Sequence, residues 1–379
     1  MKVAFFSNYL NHHQLPFCLA MLELTQGEFT FVASSQVSQE RLNLGYTDMN
    51  AQYPFVLRTY ESKDAENKAM ELARECDVMI IGSAPERYFQ ERVKHNKPVF
   101  RYAEREFKKD YRALFSPRAR YRYHQKHTRY RKAPVYMLCA SAYTAPDYAL
   151  FGAYKGKTYK WGYFPEVKMQ DIEVLLANKQ NKQKPLLLWV GRLIDWKHPD
   201  KAVWVAQQLK AAGYEFQMKI IGTGTMEPEL RQQIMDKQLQ DCVQMPGAMP
   251  PEQVRDIMEQ ADVFLFTSDR NEGWGAVLNE AMNSGCAVVA NKAIGSVPFL
   301  IENGKNGSIY KKPEDLLENV CLLLDKPELR QQLGQAAYRT LESTWNAREA
   351  AGRLLELADW LQAGNGGSPF TEGPGSKAL

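Results

Sequence analysis

The sequence predicts an α/β fold built from two consecutive domains. Short apolar runs rich in β-branched residues alternate with longer amphipathic segments, a pattern typical of parallel strands joined by helices. A polar stretch at 177–184 interrupts this alternation near the middle of the 379 residues. A chain of this length, 45% hydrophobic and 24% charged, can bury two cores without disulfides or metals.

In the first half, residues 1–165, the apolar runs predict one Rossmann-like domain. The candidate strands are 2–7, 29–33, 78–82, 98–102 and 135–140. Amphipathic segments such as 64–74 fit the helices between them.

Residues 166–184 are predicted to be a linker, and residues 185–345 a second Rossmann-like domain. Strands are expected at 186–190, 217–221, 263–266 and 287–290, and helices at 199–212, 227–237 and 275–283. An apolar stripe predicts a last helix at 346–362, packed back toward the first domain. The Gly-, Pro- and Ser-rich end, 363–379, is expected to be disordered. Two such domains would leave a cleft between them.

Local patterns exclude several classes of protein. The six cysteines occur singly, without metal-ligand spacing, which is typical of reduced core residues. The N-terminal segment lacks the apolar core of a signal peptide, and the chain lacks the run of about 18 apolar residues that a membrane span requires. We therefore expect a cytoplasmic protein whose membrane contact is at most peripheral, at the inner face.

The most informative segment, 269–280, follows an apolar strand and opens into a helix. Gly273 and Gly275 allow close approach of the backbone to a ligand, and a helix start offers unpaired N–H groups. Such a turn can hold a phosphate. Glu272 and Glu280 place two carboxylates in it, although a glutamate near a helix start also simply complements the helix dipole.

A second segment, 190–198, also follows a strand and precedes a helix. Arg192 and Lys197 are expected at the carboxyl end of the sheet, where open α/β folds bind ligands. Two cations there suit a diphosphate. The alternative is that both are solvated loop residues, as charged side chains usually are.

Together these segments resemble the family 4 glycosyltransferases, retaining enzymes of the GT-B fold with two facing Rossmann-like domains. The E-x7-E motif of that family corresponds to Glu272 and Glu280, and its diphosphate signature to Gly191, Arg192 and Lys197. Matching pieces follow in order over the second domain, at 221–224, 246–247, 284–290 and 302–307.

The resemblance implies a role for each matched residue. Arg192 and Lys197 would neutralise the donor diphosphate, Glu280 would bind the ribose hydroxyls, and Glu272 would hold the transferred sugar. Main-chain groups of Gly273, Trp274 and Gly275 would lie beside that sugar, and Gly222, Thr223 and Gly247 near the nucleobase. The remaining donor-binding residues would be Gly191, Gly224, Ala276, Val277 and Leu278.

No Asp-x-Asp triplet is present, so the cations are expected to replace a bound metal. We therefore predict neither a metal nor a cofactor, with the nucleotide-sugar donor as co-substrate.

The first domain matches the family less well. Its first strand is followed by Asn8, Asn11, His12 and His13 rather than by a glycine-rich loop, and one of the two histidines is expected to contact the acceptor or a donor phosphate. Family members often carry a histidine after the strand at 98–102. Here Glu104 and Arg105 stand there, and both are assigned to the acceptor side.

The segment 101–132 is strongly basic. It holds twelve Lys or Arg and three acidic residues, a net charge of +9 in a chain of +4 overall, with tyrosines interleaved. One interpretation is that this segment binds an anionic membrane surface or a lipid-linked acceptor. Another is that it forms a solvated helix face. Nucleic-acid binding is not expected, because no known motif accompanies the charges.

We therefore predict a retaining glycosyltransferase that moves a sugar from a nucleotide diphosphate donor to a glycan or lipid-linked glycan, in bacterial cell-surface polysaccharide biosynthesis. Two alternatives stay open. One is another GT-B enzyme, an epimerase or a phosphorylase, and the other is a non-catalytic protein that binds polyanions through 101–132.

Overall fold

The computed structural model describes residues 1–38 and 47–378 and divides into two compact units. One unit holds Met1–Glu166 together with Asn346–Leu379, and the other holds Val167–Trp345. Each is an α/β unit with a parallel sheet, so the predicted fold class is confirmed. The expected linker at 166–184 differs from the structure, because a helix at Ile172–Gln180 packs within the second unit.

The sheet of the first unit has strand order β3-β2-β1-β4-β5-β6-β7, and every neighbouring pair is parallel. Its strands are β1 Val3–Ser7, β2 Phe29–Ala33, β3 Val56–Arg58, β4 Val78–Ile81, β5 Val99–Ala103, β6 Val135–Cys139 and β7 Thr158–Lys160. The sequence analysis missed β3 and β7, because three residues are too few to show a period.

The sheet of the second unit has strand order β10-β9-β8-β11-β12-β13 and is also parallel. Its strands are β8 Leu186–Val190, β9 Gln217–Ile221, β10 Val243–Gly247, β11 Val263–Phe266, β12 Ala287–Asn291 and β13 Ser308–Tyr310. The central strands β8 and β11 are buried along nearly their whole length, which explains their continuous apolar runs.

Helices connect the strands in both units. Those of the described residues are α1 Leu15–Leu24, α2 Lys63–Glu75, α3 Glu86–Lys94, α4 Pro117–Lys126, α5 Thr144–Ala149, α6 Ile172–Gln180, α7 Pro199–Ala211, α8 Glu227–Asp236, α9 Pro251–Gln260, α10 Val277–Asn283, α11 Val297–Leu300, α12 Pro313–Asp325, α13 Pro327–Ser343 and α14 Ala347–Gln362. Short 3₁₀ turns occur at Met49–Ala51, Arg112–Phe115, Thr128–Tyr130 and Asp195–Lys197. Among these helices, none is long and apolar enough to cross a membrane.

The chain returns to the first unit at its C-terminal end. Helix α14 lies against α1, and the segment after it pairs with β7. The amide of Lys160 donates to the carbonyl of Ser376 at 2.7 Å, and the amide of Ala378 donates to that of Thr158 at 3.1 Å. The expectation of a disordered tail is therefore wrong for 363–378. The physical reason is that an edge strand offers unpaired N–H and C=O groups, which a flexible segment can satisfy.

Candidate functional site

Four loops of the second unit meet at the carboxyl edge of its parallel sheet. Residues 191–198 follow β8, residues 222–226 follow β9, Gly247 ends β10, and residues 267–276 follow β11. Because parallel strands all end at the same edge, the two segments singled out by the sequence are brought together.

The closest polar contact at this edge joins the two predicted segments. Lys197 Nζ donates to Glu272 Oε2 at 2.6 Å, and these side chains are only 14% and 11% exposed. Ser268 Oγ, at the end of β11, donates to the same oxygen at 3.0 Å. Glu272 therefore has one oxygen fixed by two donors inside the unit.

A buried threonine holds the loop that carries Lys197. Thr267 Oγ1 lies 2.8 Å from the carbonyl oxygen of Lys197 and 2.9 Å from that of His198, and it accepts the indole N–H of Trp189 at 2.8 Å. His198 has φ of 52°, and Pro199 begins α7 directly after it. The sequence analysis missed both Thr267 and Ser268. The available signal was two hydroxyl residues placed directly after a buried strand.

Gly222 lets the loops after β8 and β9 touch. Its φ is +140°, and a Cβ on it would lie 1.8 Å from the carbonyl oxygen of Gly191. Two further contacts join these loops. The amide of Leu193 donates to the carbonyl of Thr223 at 2.9 Å. A Cβ on Gly224 would lie 2.3 Å from the carbonyl oxygen of Leu193. These glycines fix the position of the loop that carries Arg192.

The turn before α10 is tightly packed. Gly275 has φ of +81°, and a Cβ there would lie 2.4 Å from Phe266 Cζ. Trp274 is fully buried, and its indole N–H donates to Asn279 Oδ1 at 2.9 Å, so only the main chain of 273–275 can face a ligand. The helix begins at Val277 instead of the predicted 275, which places Ala276 at its N-cap and Leu278 and Glu280 in its first turn.

Two charged groups at this edge form no ion pair or side-chain hydrogen bond with a carboxylate or cation of the described residues. The Glu280 carboxylate accepts no hydrogen bond there, and burial raises its pKa, with only partial compensation from Arg255. Arg192 is exposed, forms no ion pair in that part of the chain, and has its guanidinium 5.6 Å from the centre of the Trp196 ring. The edge therefore offers a cation and a carboxylate to a ligand.

Comparison with known proteins finds a family that resembles this unit. Residues 173–340 match the family model described as "Glycosyl transferases group 1". The match covers most of the second unit and less than half of the chain. The part of the chain that matches includes both segments predicted from the sequence.

Two curated relatives of the second unit have names that place them in polysaccharide biosynthesis. A putative colanic acid biosynthesis glycosyltransferase, WcaL of Salmonella typhimurium, is 38% identical over 126 residues, 32% of this chain and 31% of its own length. The amylovoran biosynthesis glycosyltransferase AmsK of Erwinia amylovora is 31% identical over 188 residues, 46% of this chain and 44% of its own. The chain thus spans less than half the length of these relatives.

Solved structures match over both units. The Anabaena protein HepE in complex with UDP has a TM-score of 0.68 and 16% identity, covering 94% of this chain and 99% of that one. The apo form of the lipopolysaccharide outer core galactosyltransferase WaaB has a TM-score of 0.66 and 15% identity, covering 96% and 100%. At these identities the likeness shows the fold, and it agrees with the predicted GT-B class.

In the first unit, the side chains of the two predicted asparagines accept hydrogen bonds from main-chain amides. Asn11 Oδ1 accepts the amides of His13 at 3.0 Å and Gln14 at 3.2 Å, and Asn8 Oδ1 accepts the amide of Tyr9 at 2.9 Å. These bonds shape the turn between β1 and α1. The asparagine side-chain oxygens therefore position the histidines in this turn.

The two histidines differ in environment. His12 is exposed, whereas His13 is half-buried and its Nδ1 is a buried atom with no hydrogen-bond partner in the described chain. Burial, together with the adjacent His12, lowers the pKa of His13 to about 3. His13 is consequently neutral at physiological pH and offers no positive charge to a phosphate.

Glu104 and Arg105 point in different directions. Glu104 Oε1 accepts a hydrogen bond from the Tyr163 hydroxyl at 2.6 Å, and Lys108 binds its other oxygen. Arg105 is buried, with Nε 3.6 Å from Asp147 Oδ2 and its guanidinium 4.6 Å from the centre of the Tyr143 ring. The charge of Arg105 is thus balanced inside the unit, where it ties the loop after β5 to α5.

The basic segment divides into paired and unpaired cations. Arg101 binds Glu86 through two bonds of 2.9 and 2.7 Å, and Arg112 binds Asp110. The exposed cations that no carboxylate of the described residues pairs with are Lys109, Arg118, Arg120, Arg122, Lys126, Arg129, Arg131 and Lys132. Several of these lie on α4, whose other face buries Tyr123 beside Phe107.

Proposed function

We propose that the protein transfers a sugar from a nucleotide diphosphate donor to a hydroxyl of a glycan, in the assembly of a bacterial cell-surface polysaccharide. One observation carries this proposal, namely the cluster of Lys197, Glu272 and Ser268 at the carboxyl edge of the second unit's sheet. Unpaired Arg192 and Glu280 extend it. The names of the curated relatives support the pathway class.

The charges suit departure of a nucleoside diphosphate. As the bond to the sugar breaks, negative charge develops on the leaving phosphate, and fixed cations stabilise that charge most when they are held in place beforehand. Lys197 is held by Glu272 and by the Thr267 network, and Arg192 is free to close on the phosphates. In this proposal the cations do the work that a metal would otherwise do, so transfer is metal-independent. Retention of configuration is proposed from the family resemblance alone.

The two glutamates suit the neutral parts of the donor. Glu272 has its Oε2 occupied by Lys197 and Ser268, which leaves the other oxygen to accept hydroxyls of the transferred sugar. Glu280 is half-buried and unpaired, and a ribose diol would supply the missing donors. UDP is the nucleotide we propose first, because the similar Anabaena structures are complexes with UDP and with UDP-glucose.

Calorimetric titration with UDP, GDP and ADP, each with and without Mg²⁺, tests the donor site. We expect one nucleotide to bind without metal, and Glu280→Ala to weaken it about tenfold to hundredfold, since a charged hydrogen bond contributes about 1.5–3 kcal/mol. Glu252→Ala, an exposed glutamate on α9, is the matched control and leaves affinity unchanged. Absence of binding at millimolar nucleotide would overturn the assignment.

We further propose that the protein works at the cytoplasmic face of an anionic membrane, which it contacts through α4 and the preceding 3₁₀ turn. Phe115 is 84% exposed and Tyr121 is 67% exposed, and the unpaired cations Arg118, Arg120 and Arg122 lie in the same stretch of chain. A pocket of about 680 Å³ beside them is lined by both apolar and basic residues, among them Leu150, Arg120 and His124. Exposed rings and cations together favour a lipid interface.

Flotation with vesicles tests the membrane proposal. Binding is expected with phosphatidylglycerol vesicles and not with phosphatidylcholine alone. The double substitution Arg118→Ala with Arg122→Ala should weaken it about thirtyfold, at about 1 kcal/mol for each cation. Lys311→Ala with Lys312→Ala, two exposed lysines of the second unit, is the matched control. Equal loss in both variants, or tighter binding to RNA than to vesicles, would contradict the proposal.

A further inference from the structure

His198 has a backbone conformation that its place in the fold does not require. Its φ of 52° and ψ of 53° lie in the left-handed region, which non-glycine residues seldom adopt. Three other described residues with such a φ, Gln26, Asn96 and Gln238, each lie two positions after the end of a helix, where a left-handed residue is a common cap. His198 instead directly precedes α7, where the capping residue is typically extended, and its side chain makes no capping hydrogen bond. The end of a helix therefore does not explain this strain.

The imidazole of His198 lies between two carboxylates. Its Nδ1 is 3.7 Å from Asp200 Oδ1, and its Nε2 is 3.7 Å from Asp269 Oδ2. Both distances allow an ion pair and are longer than a hydrogen bond. An imidazole carries an N–H group on both nitrogens only when it is protonated. A carboxylate on each side of the ring therefore suits the charged form.

The Asp200 carboxyl group is influenced by this ring. Its Oδ1 is a buried atom with no hydrogen-bond partner among the described residues. Burial by itself raises the pKa of Asp200, but the neighbouring His198 more than offsets burial, so the pKa is lowered. Lys201 is the other cation close to both carboxylates, and the experiment below separates its contribution from that of His198.

The contact between His198 and Asp269 joins the two turns that carry Lys197 and Glu272. His198 directly follows Lys197, and the carbonyl of Asp269 accepts the amide of Glu272 at 3.1 Å. The amide of Asp269 donates to the carbonyl of Trp196 at 2.9 Å, so the turns are also joined through the main chain. The imidazole adds a link between side chains of the same two turns.

This link does not depend on the ion pair between Lys197 and Glu272. In the proposed function the ammonium of Lys197 stabilises the phosphate that leaves with the nucleotide, so a bound donor competes with Glu272 for this cation. The contact of His198 with Asp269 uses no group that is assigned to the donor. It can therefore hold the two turns together while the donor is bound.

We infer that His198 is a positioning residue of the donor site, whose protonated imidazole links Asp200 and Asp269 and holds Lys197 against the donor diphosphate. The left-handed backbone of His198 places the ring between the two carboxylates. This inference rests on the proposed function, because Lys197 requires alignment with a phosphate only if a nucleotide binds at this edge.

Calorimetric titration of the full chain with UDP and UMP tests the role of His198, with His198→Gly as the main variant. Glycine adopts a positive φ without strain, so the melting temperature should not fall. UDP affinity should fall about tenfold, the effect of losing one charged contact, because Lys197 is no longer aligned. UMP lacks the phosphate that Lys197 stabilises, so its affinity should change less than about twofold.

His198→Asn separates the charge of the side chain from its presence. Asparagine tolerates the left-handed conformation and carries no charge, so this variant should lose UDP affinity as His198→Gly does. Asp269→Asn should also weaken UDP about tenfold. Combined with His198→Gly it should weaken UDP no further, because both substitutions break the same link.

Two control variants address the backbone and the charge separately. Gln238→Gly relieves the same strain at an exposed residue with φ of 54° after α8, away from the carboxyl edge. Lys201→Met removes the other cation near the two carboxylates. Both variants should bind UDP as the wild type does.

The outcomes distinguish this inference from the function on which it rests. Unchanged UDP affinity in His198→Gly or His198→Asn overturns the role of His198, as does an equal loss of UDP and UMP affinity. A lower melting temperature in His198→Gly, or an equal loss of UDP affinity in Lys201→Met, overturns it too. In each case the wild type still binds UDP, and the donor site stands. If the wild type binds none of UDP, GDP and ADP, the proposed function itself fails.

Discussion

The carboxyl edges of the two sheets are built from different chemistry. In the second unit the edge joins Lys197, Glu272 and Ser268 by direct polar bonds, and glycines allow its loops to touch. In the first unit the corresponding edge is lined by Tyr163 and a neutral His13, with Glu104 as its carboxylate. One edge presents cations that suit a diphosphate, and the other presents aromatic rings beside a carboxylate that is paired with Lys108.

The difference shows that two similar scaffolds can carry edges of different chemistry. Both sheets are parallel and both present loops at the same edge, so topology alone does not choose the ligand. The choice lies in the side chains that the loops carry. Substitutions that act on one edge and spare the other are therefore the sharpest tests of the comparison.

The largest effect is expected from Gly222→Ala, which separates the loops after β8 and β9. Its Cβ would stand 1.8 Å from the carbonyl oxygen of Gly191, at a φ of +140° that side chains rarely adopt. We expect a loss of about 3 kcal/mol of unfolding free energy and of measurable UDP binding. Chemical denaturation and calorimetry measure the two quantities.

Gly213→Ala is the matched control for that substitution. Gly213 also has positive φ, +81°, but a Cβ there meets no atom within 4 Å. Strain alone should cost about 1 kcal/mol and leave UDP affinity unchanged. Equal loss of UDP binding in both variants would show that loop contact is not what shapes this edge.

The next largest effect distinguishes Lys197, which is paired with Glu272, from Arg192, which forms no ion pair among the described residues. Lys197→Ala removes the partner of the Glu272 carboxylate and the proposed phosphate contact, so sugar transfer should fall about a hundredfold and the melting temperature should drop. Arg192→Ala removes an exposed cation, so transfer should fall about tenfold with no change in melting.

Release of UDP from a UDP-sugar that the wild type uses, followed alongside thermal melting, checks both variants. Near-normal turnover in either variant would contradict its assigned role. An equal drop in melting temperature for both would contradict the difference in their burial and pairing.

The carboxyl edges of the two sheets also differ in how well the sequence predicts them. The second edge depends on charged residues and glycines within short segments, so 191–197 and 272–280 were identified from local pattern and family resemblance. Thr267 and Ser268 were missed, because a hydroxyl residue after a strand carries no specific signal until its partners are known.

The first edge was less predictable, because its contacts join residues far apart in the chain. Tyr163 is 59 positions from Glu104, and no periodicity connects them. The short strands β3 and β7 were missed for a related reason, since their length hides the alternation. The tail was mistaken for disorder because a Gly-rich composition does not reveal that a sheet edge is available for pairing.

Deletion of 364–379 gives a smaller effect that is confined to the first unit. The tail contributes main-chain hydrogen bonds to β7, and Arg353 lies over the ring of Phe370 at 4.8 Å. We expect a loss of about 2 kcal/mol of unfolding free energy, at about 0.5–1.5 kcal/mol for each hydrogen bond. UDP affinity should not change, because the second unit contains none of the tail. Unchanged denaturation would show that the tail contributes nothing to stability.

The smallest effect concerns a buried histidine beneath the first unit's basic helix. His127 follows α4, its Nδ1 is 2.7 Å from the Tyr154 hydroxyl, and burial, Arg101 and Lys126 lower its pKa from 6.5 to about 3. The unfolded chain therefore binds a proton that the folded chain does not, over the range from about pH 6.5 down to about pH 3. Stability falls as pH falls through this range, by at most about 1.4 kcal/mol for each pH unit.

Denaturation at pH 7 and pH 5.5 compares His127→Gln with the wild type. Glutamine can still bind Tyr154 but does not titrate, so about 1 kcal/mol of the stability lost between these pH values should disappear in the variant. His124→Gln, an exposed histidine on the same helix, should keep the wild-type dependence. If His127→Gln also keeps it, the folded chain does not hold His127 neutral.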